Sequence, residues 1–268
     1  DTTMGSLRHD GQVVWITGAS SGIGAALAEA FSREGARVVL SARRVEALEQ
    51  VRARCADPDR HFVLPLDMAG GHVDGAVADV LARYGRIDIL VNNAGISQRS
   101  RVADTVLAVD RRIMEVNYFG VVALTRAVLP VMRRQRGGHI LVISSIVGLV
   151  STPLRSTYAA SKHALHGFFE ALRAEEHDAG LRVLMVCPGA IATDVSLHAL
   201  AGDGSEHGVM DALQAGGMPP ALCAERILAA LAAGRAQVVV AGRERLAVTL
   251  YRFMPSLYRR LVRRMKVT

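Results

Sequence analysis

The sequence predicts an α/β fold in which a doubly wound sheet of seven parallel strands forms one domain. Short runs rich in β-branched residues alternate with longer segments of helical spacing through the 268 residues. Most of these runs are almost continuously apolar, which is typical of strands that a parallel sheet buries on both faces. No repeat, low-complexity stretch or linker interrupts the alternation. The pattern is that of successive βαβ units, and it favours a single domain over two.

The predicted strands follow one another with helix-length segments between them. They are Val13–Thr17, Arg37–Ala42, His61–Asp67, Ile87–Asn92, His139–Ser145, Arg182–Cys187 and Gln237–Ala241. Ile23–Glu34 and Val45–Arg54 are of helical length, and the first has an apolar face. We expect residues 1–242 to form the domain and residues 243–268 to form a C-terminal extension.

Composition excludes several classes of protein. Half of the residues are apolar and 21% are charged, and the mean hydropathy is +0.24, so the chain can bury a sizeable core and is not globally disordered. The three cysteines and nine histidines form no cluster with disulfide or metal-ligand spacing, which suits a reducing compartment. No apolar run reaches the ~18 residues of a spanning helix, and residues 1–6 contain no apolar signal region. We therefore expect a cytoplasmic protein without a bound metal.

The net charge of the chain is concentrated at its C-terminal end. The formal net charge is +7, and residues 243–268 alone carry +7, so residues 1–242 are balanced. The basic residues of the extension are Arg243, Arg245, Arg252, Arg259, Arg260, Arg263, Arg264 and Lys266. A balanced domain lacks the basic face that nucleic acids require, so the sequence argues against a nucleic-acid partner.

The C-terminal extension mixes aromatic side chains with arginines and is amphipathic on both sides of Pro255. Two interpretations remain open. In the first, the extension lies on a membrane surface, where arginines bind anionic headgroups and aromatic residues enter the acyl boundary. In the second, it is a helix packed on its own subunit or on a partner, with an arginine-rich outer face. Only the first makes the protein peripheral to a membrane.

A second irregular segment, residues 195–220, carries five glycines and ends in Pro219-Pro220. A loop of this length in a compact domain is either a functional lid or disordered. We favour a lid, because the segment follows the carboxyl end of a predicted strand, and ligands bind at that edge of a parallel sheet.

The turn after the first strand has the glycine pattern of a phosphate-binding loop. It reads Thr17-Gly18-Ala19-Ser20-Ser21-Gly22-Ile23-Gly24 and leads directly into a predicted helix. Glycine permits the sharp turn, the close approach of the backbone to a pyrophosphate, and tight packing of the helix on the strand. The helix N-terminus adds free N–H groups and the positive end of a dipole. Placed between the first strand and the first helix of a parallel sheet, the pattern predicts a dinucleotide site rather than a plain loop.

The end of the second predicted strand indicates which dinucleotide is bound. An acidic residue there would bond to the ribose 2′-hydroxyl of NAD and repel a 2′-phosphate, but the sequence reads Ser41-Ala42-Arg43-Arg44. The guanidinium of Arg43 presents its donors in the planar fork that a phosphate accepts. The alternative is that both arginines are a solvated helix start, although arginine at a helix N-terminus opposes the dipole. We predict NADP(H) as the cofactor.

A tyrosine and a lysine four residues apart predict acid–base chemistry. Tyr158 and Lys162 lie in a helical pattern after the fifth strand, and this spacing puts the phenol and the ammonium on one face. A nearby ammonium favours the phenolate, so the phenol can exchange a proton with a substrate oxygen, as hydride transfer to a carbonyl requires. Ser145, at the end of the fifth strand, could hold that oxygen, while Ser144 could equally satisfy backbone groups. The alternative is an ordinary exposed Tyr/Lys pair.

Taken together, these residues resemble the short-chain dehydrogenase/reductase family, which has one Rossmann domain. The motifs that carry the resemblance cover residues 13–194 in order. They are Thr17-Gly18-x-x-x-Gly22-x-Gly24, Asn92-Asn93-Ala94-Gly95, Asn117, Ser145, Tyr158-x-x-x-Lys162 and Pro188-Gly189-x-Ile191-x-Thr193. The resemblance implies that Tyr158 is the general acid/base, Lys162 lowers its pKa and holds the nicotinamide ribose, Ser145 orients the carbonyl, and Asn117 holds the water of a proton relay.

The resemblance also implies a set of cofactor contacts that extends the glycine turn and Arg43. The expected set is Gly18, Ser20, Ser21, Gly22, Ile23, Gly24, Arg43, Asp67, Asn92, Ala94, Gly95, Tyr158, Lys162, Pro188, Gly189, Ile191 and Thr193. Within it, Asp67 would lie near the adenine, Asn92 and Ala94 along the ribose, and Ile191 and Thr193 at the carboxamide side of the nicotinamide.

Shorter segments of the sequence, such as Ser97-Gln98-Arg99-Ser100, resemble the branch of this family that is related to microsomal retinoid and steroid carbonyl reductases. That branch implies NADPH, lipophilic ketones, aldehydes or quinones as substrates, and assembly as a homodimer or homotetramer. The alternatives are a non-enzymatic NADPH-binding regulator, which a broken Ser-Tyr-Lys set would favour, and an extended-branch epimerase or dehydratase, which needs a longer chain and a different glycine turn.

Overall fold

The chain is built on one sheet of seven parallel strands, which confirms the predicted doubly wound Rossmann fold in a single domain. The computed structural model describes residues 8–264. The N-terminal segment 1–6 and Lys266, on which the sequence analysis drew, lie outside the described residues. The strands are β1 Val13–Thr17, β2 Arg37–Ser41, β3 Phe62–Val63, β4 Ile89–Asn92, β5 Gly138–Ile143, β6 Leu181–Pro188 and β7 Gln237–Val240.

Ten helices in the described chain cover the two faces and the carboxyl edge of the sheet. They are α1 Gly22–Arg33, α2 Val45–Arg54, α3 Val73–Tyr84, α4 Leu107–Met114, α5 Gly120–Gln135, α6 Ser156–Glu175, α7 Ala212–Ala215, α8 Pro220–Ala232, α9 Arg245–Phe253 and α10 Pro255–Val262. The strand order is β3-β2-β1-β4-β5-β6-β7. The direction of winding reverses between β1 and β4, and the crevice at such a switch point is where ligands bind in this class of sheet.

Apolar burial on both faces of the sheet explains why the strand runs lack polar alternation. One core layer packs α1 and α8 against the sheet around Phe31, and the other packs α3, α5 and α6 around Trp15 and Phe169. All three of these aromatic side chains are fully buried. Successive strand residues point to opposite faces, so each strand contributes to both layers.

The third strand is shorter than the predicted 61–67 span. Regular pairing with β2 is confined to Phe62–Val63, although the N–H groups of Leu64 and Leu66 still donate to carbonyls of Leu40 and Ala42. Between them stands Pro65, which has no N–H to donate. Proline is tolerated here because β3 is an edge strand.

Helices α4 and α5 are joined without a break by a π-helical turn, Glu115–Phe119. The resulting helix, Leu107–Gln135, is 29 residues long and is the one described helix that is long and apolar enough to cross a membrane. The absence of a long apolar run in the sequence does not predict such a segment. Its most apolar stretch is 56% buried inside the domain, and α5 packs on the sheet core through Leu124 and Val128. The length and apolar character of this helix follow from that packing.

The C-terminal extension forms two short helices, because Pro255 ends one helical path and begins another. No residue of α9 is buried, and in α10 only Tyr258 is. The Tyr258 hydroxyl donates to the Ser151 carbonyl at 2.8 Å, and Val248 packs against the small apolar cluster that contains Ile146 and Val147. The extension therefore rests on the loop that follows β5.

Candidate active site

The glycine turn after β1 is so tightly enclosed that side chains would not fit. A Cβ on Gly24 would lie 2.3 Å from the Gly18 carbonyl oxygen, and one on Gly18 would lie 2.9 Å from Ala94 Cα. Gly18 and Gly22 also have φ angles of +64° and +55°, which favour glycine. Gly24 lets α1 start directly against the turn, as the packing of a dinucleotide loop requires.

Thr17 and Asn93 join the ends of β1 and β4 at the switch point. The Thr17 hydroxyl accepts from the N–H groups of Asn93 and Ala94 at 3.0 and 3.1 Å, and the Asn93 amide donates to the carbonyls of Thr17 and Gly18 at 2.9 and 3.1 Å. These bonds hold the turn against the segment that carries Ala94 and Gly95. Both residues lie inside the family motifs, but the sequence alone does not predict that their side chains join the two strands.

The start of α1 presents an open N-terminus to the crevice. Ser21 precedes the helix in an extended conformation and makes no side-chain capping bond; Ser20 and Ile23 are half-buried beside it. Across the crevice, Thr193 Cγ2 would lie 3.0 Å from a Cβ on Gly22. The turn thus has uncapped N–H groups beside Thr193, and such N–H groups at a helix N-terminus suit a phosphate.

Arg43 and Asp67 lie at the carboxyl ends of β2 and β3, on the same edge of the sheet as the turn. Both residues are exposed. Arg43 has no hydrogen bond or ion pair with another residue in the described part of the chain, whereas Asp67 accepts a hydrogen bond from the N–H of Ala69 at 3.0 Å. The guanidinium of Arg43 is therefore available to an external anion.

Asn92 and Gly95 play different parts at the end of β4. The Asn92 side chain is buried and donates to the Thr125 hydroxyl of α5 at 3.0 Å, so contact with a ligand in the crevice would fall to its main chain. Gly95 is exposed, and a Cβ there would lie 3.3 Å from Asn117 Oδ1 and 3.5 Å from Lys162 Nζ. Gly95 keeps the space over these two side chains open.

Tyr158 and Lys162 lie one turn apart on α6, and Lys162 Nζ is 5.8 Å from the centre of the Tyr158 ring. The ammonium is buried and donates to the Ile143 carbonyl, the last residue of β5, at 2.8 Å. Burial lowers the pKa of Lys162 to about 8. Lys162 consequently carries its positive charge at neutral pH and loses it above that value.

Ser145 follows β5 and faces the phenol of Tyr158. Burial raises the pKa of Tyr158, and a hydrogen bond with Ser145 and the charges of Arg155 and Arg99 oppose that rise. The Ser145 hydroxyl also accepts from the N–H of Val147 at 3.2 Å, which fixes its rotamer. At neutral pH the phenol is therefore a proton donor next to a second hydroxyl.

Asn117 lies in the π-helical turn and is fully buried. Its side chain accepts from the Ile96 N–H at 2.8 Å and donates to the Ile96 carbonyl and the Ser161 hydroxyl at 2.9 and 3.1 Å. Single π-turns inside α-helices recur at functional sites. Here the turn ties the helix to both the β4 loop and α6, which carries Tyr158.

The segment after β6 closes the crevice opposite the glycine turn. Pro188 and Ile191 are buried, and a Cβ on Gly189 would lie 2.8 Å from the Ala241 side chain. The Gln214 amide donates to the Ile191 carbonyl at 2.7 Å and to the Thr193 hydroxyl at 3.3 Å. Residues of the predicted lid are thus bonded to the segment that borders the crevice.

The sequence does not predict two polar networks that lie beside the site. In the first, Asp211 pairs with Arg99 and Arg155. In the second, the Ser144 hydroxyl bonds with His166 at 3.0 Å, so Ser144 faces away from Ser145. Arg99 lies in the Ser97-Gln98-Arg99-Ser100 segment noted in the sequence, but no sequence pattern around Asp211 predicts that the two residues pair. Among residues 8–264, no group of three or more His, Cys, Asp or Glu side chains is placed to hold a metal ion.

Comparison with known proteins identifies the family. The family model for short chain dehydrogenase matches residues 12–202. The chain is 46% identical over 259 residues to the Bos taurus "Dehydrogenase/reductase SDR family member 7B", covering 93% of this chain and 80% of the relative. It is 46% identical over 255 residues to a Drosophila melanogaster "Dehydrogenase/reductase SDR family protein 7-like", covering 92% of this chain and 78% of the relative.

Solved structures agree with the sequence relatives. A short-chain dehydrogenase from Streptomyces avermitilis superposes with a TM-score of 0.80 at 36% identity, covering 94% of this chain and 96% of that one. A short chain dehydrogenase/reductase from Burkholderia phymatum in complex with NAD superposes with a TM-score of 0.81 at 25% identity, covering 95% and 96% of the two chains. The glycine turn and the cluster of Ser145, Tyr158 and Lys162 lie at the same edge of the sheet, in agreement with these matches. The chain belongs to the short-chain dehydrogenase/reductase family of oxidoreductases.

Proposed function

We propose that the protein is an NADP(H)-dependent reductase or dehydrogenase that interconverts a lipophilic ketone, aldehyde or quinone with its alcohol. The observation that carries the proposal is the convergence of Tyr158, Lys162, Ser145 and Asn117 beside the glycine turn. An intact set of this kind gives no support to the alternative of a non-enzymatic NADPH-binding regulator. When bound, the nicotinamide supplies the hydride, and the protein supplies the proton and the alignment.

Two observations support a dinucleotide in the crevice. Gly18 and Gly24 pack too closely against their neighbours to carry side chains, so the turn is bare main chain, and the N-terminus of α1 beside it is uncapped. In the proposal, the turn residues bind the pyrophosphate. Arg43 binds the 2′-phosphate and Asp67 lies near the adenine. Ala94, Gly95 and the main chain of Asn92 border the ribose. At the nicotinamide end, the contacts come from Tyr158, Lys162, Pro188, Gly189, Ile191 and Thr193.

The proton step follows from the state of the phenol. Because burial raises the pKa of Tyr158, the phenol is protonated at neutral pH and donates to the substrate oxygen as that oxygen gains negative charge. Ser145 holds the same oxygen by a hydrogen bond. Lys162, charged below a pKa of about 8, favours the phenolate that remains. Asn117 would hold a water through which the phenolate regains its proton.

The preference for NADP(H) depends on Arg43. The Burkholderia phymatum structure contains NAD, so family membership by itself leaves both dinucleotides open. The end of β2 in this chain carries exposed guanidinium groups instead of the carboxylate that would select NAD. An exposed arginine at the ribose position favours the phosphorylated form.

An apolar wall supports a lipophilic substrate. Ile146 and Val147 follow Ser145 and pack together with Tyr158 and Val248. The segment before α8, which includes α7, exposes Val209 and Leu213 at 57% and 63% of their surface. We infer that residues 195–220 act as a lid whose apolar residues meet the substrate, since bonds from Gln214 already tie this loop to the crevice.

Turnover with each dinucleotide tests the proposed function. We expect NADPH, and not NADH, to be oxidised rapidly with at least one member of a panel of lipophilic ketones, aldehydes and quinones. Binding is measured separately through the fluorescence of Trp15, the one tryptophan, which donates to Ser41 at 2.9 Å and so lies near the end of β2. NADPH binding without turnover across the panel would favour the regulator instead.

We further propose that the protein lies on the cytoplasmic side of a membrane and touches it through α9 and α10. Large apolar side chains of α9 and of the residue that joins it to α10 are exposed beside the arginines, among them Phe253 at 74%, Leu246 at 64% and Met254 at 53%. This combination suits an anionic lipid surface. Because α10 contacts Ser151, such docking would place the lipid next to the substrate wall.

Vesicle binding tests the membrane contact. We expect the protein to bind vesicles that contain anionic lipid, and salt to weaken the binding. Exchange of Arg259 and Arg260 to Glu should abolish it, whereas the same exchange at Arg226 and Arg235, two exposed arginines in and just after α8, should not. If the wild-type protein does not bind the vesicles and α9 and α10 instead mediate self-association, the membrane contact is wrong and these helices pack on a partner subunit.

The expected homodimer or homotetramer remains part of the proposal. The long helix formed by α4 and α5 exposes Leu107 and Phe119 at 58% and 52%. Isolated exposed apolar residues need no explanation, but these two lie close together around one concave surface with Asp110, Arg111 and Met114. A second copy of this helix is the partner that the family resemblance implies for such a surface.

A further inference from the structure

A cationic group other than Lys162 lies close to the candidate acid. Arg155 stands at the start of α6, one turn before Tyr158, and is largely buried. Arg99 lies on the loop after β4 and is 7% exposed. Gln98, next to Arg99, accepts hydrogen bonds from the backbone N–H groups of Thr157 and Tyr158 at 2.9 and 3.2 Å. Both guanidinium groups therefore belong to segments packed at the start of α6, within one turn of the partly buried Tyr158. The Tyr158–Lys162 motif does not predict this arrangement.

A single carboxylate holds the two arginines in place. Asp211, 3% exposed, accepts a hydrogen bond from Arg155 Nη2 at 3.0 Å and one from Arg99 Nε at 3.3 Å. Arg99 also donates to the Gln98 carbonyl at 2.8 Å and the Ser97 hydroxyl at 3.2 Å. The cluster contains two positive charges and one negative charge, so it leaves a net positive charge beside Tyr158.

The hydrogen bonds of Arg155 are incomplete. Its Nε–H is buried and finds no partner within residues 8–264, whereas Arg99 uses all three of its nitrogens. A buried guanidinium that is only partly neutralised exerts a stronger field on its neighbours than a solvated one, because little water screens it. Of the two arginines, Arg155 is therefore the better placed to act on the phenol.

We propose that Arg155 is a positioning residue for the proton step, whose charge, held in place by Asp211, stabilises the phenolate of Tyr158 alongside Lys162. The inference rests on the proposed role of Tyr158. The other charged groups around the phenol are Lys162 on α6, Arg99 on the β4 loop, Asp211 on the loop before α7, and Asp110 of α4, which bonds to Thr157. The negative charge of Asp110, bonded to Thr157 next to Tyr158, acts on the phenol in the opposite sense to the positive charge of Arg155. Among substitutions of these groups, only the removal of a positive charge is therefore expected to make the phenol less acidic.

The direction of the pH shift tests the proposal. In the oxidative direction Tyr158 must be a phenolate, so below the pKa of the phenol turnover rises about tenfold with each pH unit. This rising limb is followed near neutral pH, where Lys162 is still charged. Arg155→Met should move this rising limb to higher pH by about one unit. Arg155→Lys, which keeps the charge, should restore the wild-type position. Asp211→Asn should move the limb to lower pH, because it leaves the arginines without their negative partner.

A matched control separates charge from loss of structure. Glu176 is 4% exposed and pairs with Arg133 at the far end of α6. Glu176→Gln should lower the melting temperature and leave the pH profile unchanged. If Arg155→Met reduces activity while the limb stays in place, or if Arg155→Lys fails to restore it, Arg155 is only a structural partner of Asp211 and the proposal is wrong.

A second readout does not require turnover. In protein labelled at the tyrosine ring carbon that bears the hydroxyl, NMR follows the ionisation of each phenol, and Tyr158→Phe assigns the Tyr158 signal. The same order of pKa values is expected, with Arg155→Met above wild type and Asp211→Asn below it. Equal values in all three proteins would overturn the proposal. If Tyr158→Phe keeps full turnover, the acid–base role that the proposed function gives to Tyr158 is wrong, while the NMR titration still reports on Arg155.

Discussion

Replacement of Tyr158 by Phe should lower turnover by about 10²–10⁴-fold, the range that general acid–base catalysis contributes. The variant loses only the hydroxyl, and the ring keeps its packing beside Ile146, Val147 and Ala159. The fold and the glycine turn are untouched, so NADPH should bind as it does to the wild type. The expected result is turnover lowered by this factor with unchanged binding of NADPH, both measured on the same preparation.

Tyr84 provides the matched control for this prediction. Its hydroxyl donates to the Arg60 carbonyl at 2.8 Å, on α3 and away from the crevice. Tyr84→Phe should therefore lower stability slightly and leave turnover at the wild-type rate. If Tyr158→Phe also turns over at the wild-type rate, another group supplies the proton and the acid–base assignment is wrong.

The parts of the site that the sequence predicts are those encoded locally. The glycine turn occupies eight consecutive residues, and Tyr158 and Lys162 are one helical turn apart, so backbone periodicity alone brings each set together. The strand ends follow from the near-continuous apolar runs, which place Ser145 and Arg43 at one edge of the sheet. For such residues, secondary structure and topology are sufficient.

The parts that the sequence does not predict depend on contacts between distant segments. Asp211 lies 112 residues from Arg99, and the pair forms only because the loop before α7 folds back over the β4 loop. The π-turn around Asn117 is also invisible, since its residues fit a continuous α-helix in periodicity. Pro65 is the opposite case. This proline can be read in the sequence inside the predicted strand, and it ends the regular pairing of β3 early, as a proline on an edge strand does.

Arg43 should determine which dinucleotide the protein prefers. Reversing the charge at this position should therefore produce a large change in the ratio of NADPH to NADH affinity. A hydrogen bond to a charged group contributes roughly 1.5–3 kcal/mol, which corresponds to about 10–150-fold in affinity. Arg43→Leu should lower NADPH affinity by that amount and leave NADH affinity unchanged. Arg43→Glu should go further and reverse the preference, since a carboxylate accepts from the ribose 2′-hydroxyl and repels a 2′-phosphate.

The neighbouring Arg44 makes the test specific. It is exposed and stands immediately before α2, so Arg44→Glu introduces the same charge one residue away. Long-range electrostatics would weaken NADPH binding in both variants and fade with added salt, because exposed charges are screened beyond about 10 Å at moderate ionic strength. A direct contact of Arg43 with the phosphate would instead persist at higher salt and be lost only in the Arg43 variants. Equal ratios of NADPH to NADH affinity in wild type and Arg43→Glu would contradict the assignment, and the solvated helix start would then be the role of both arginines.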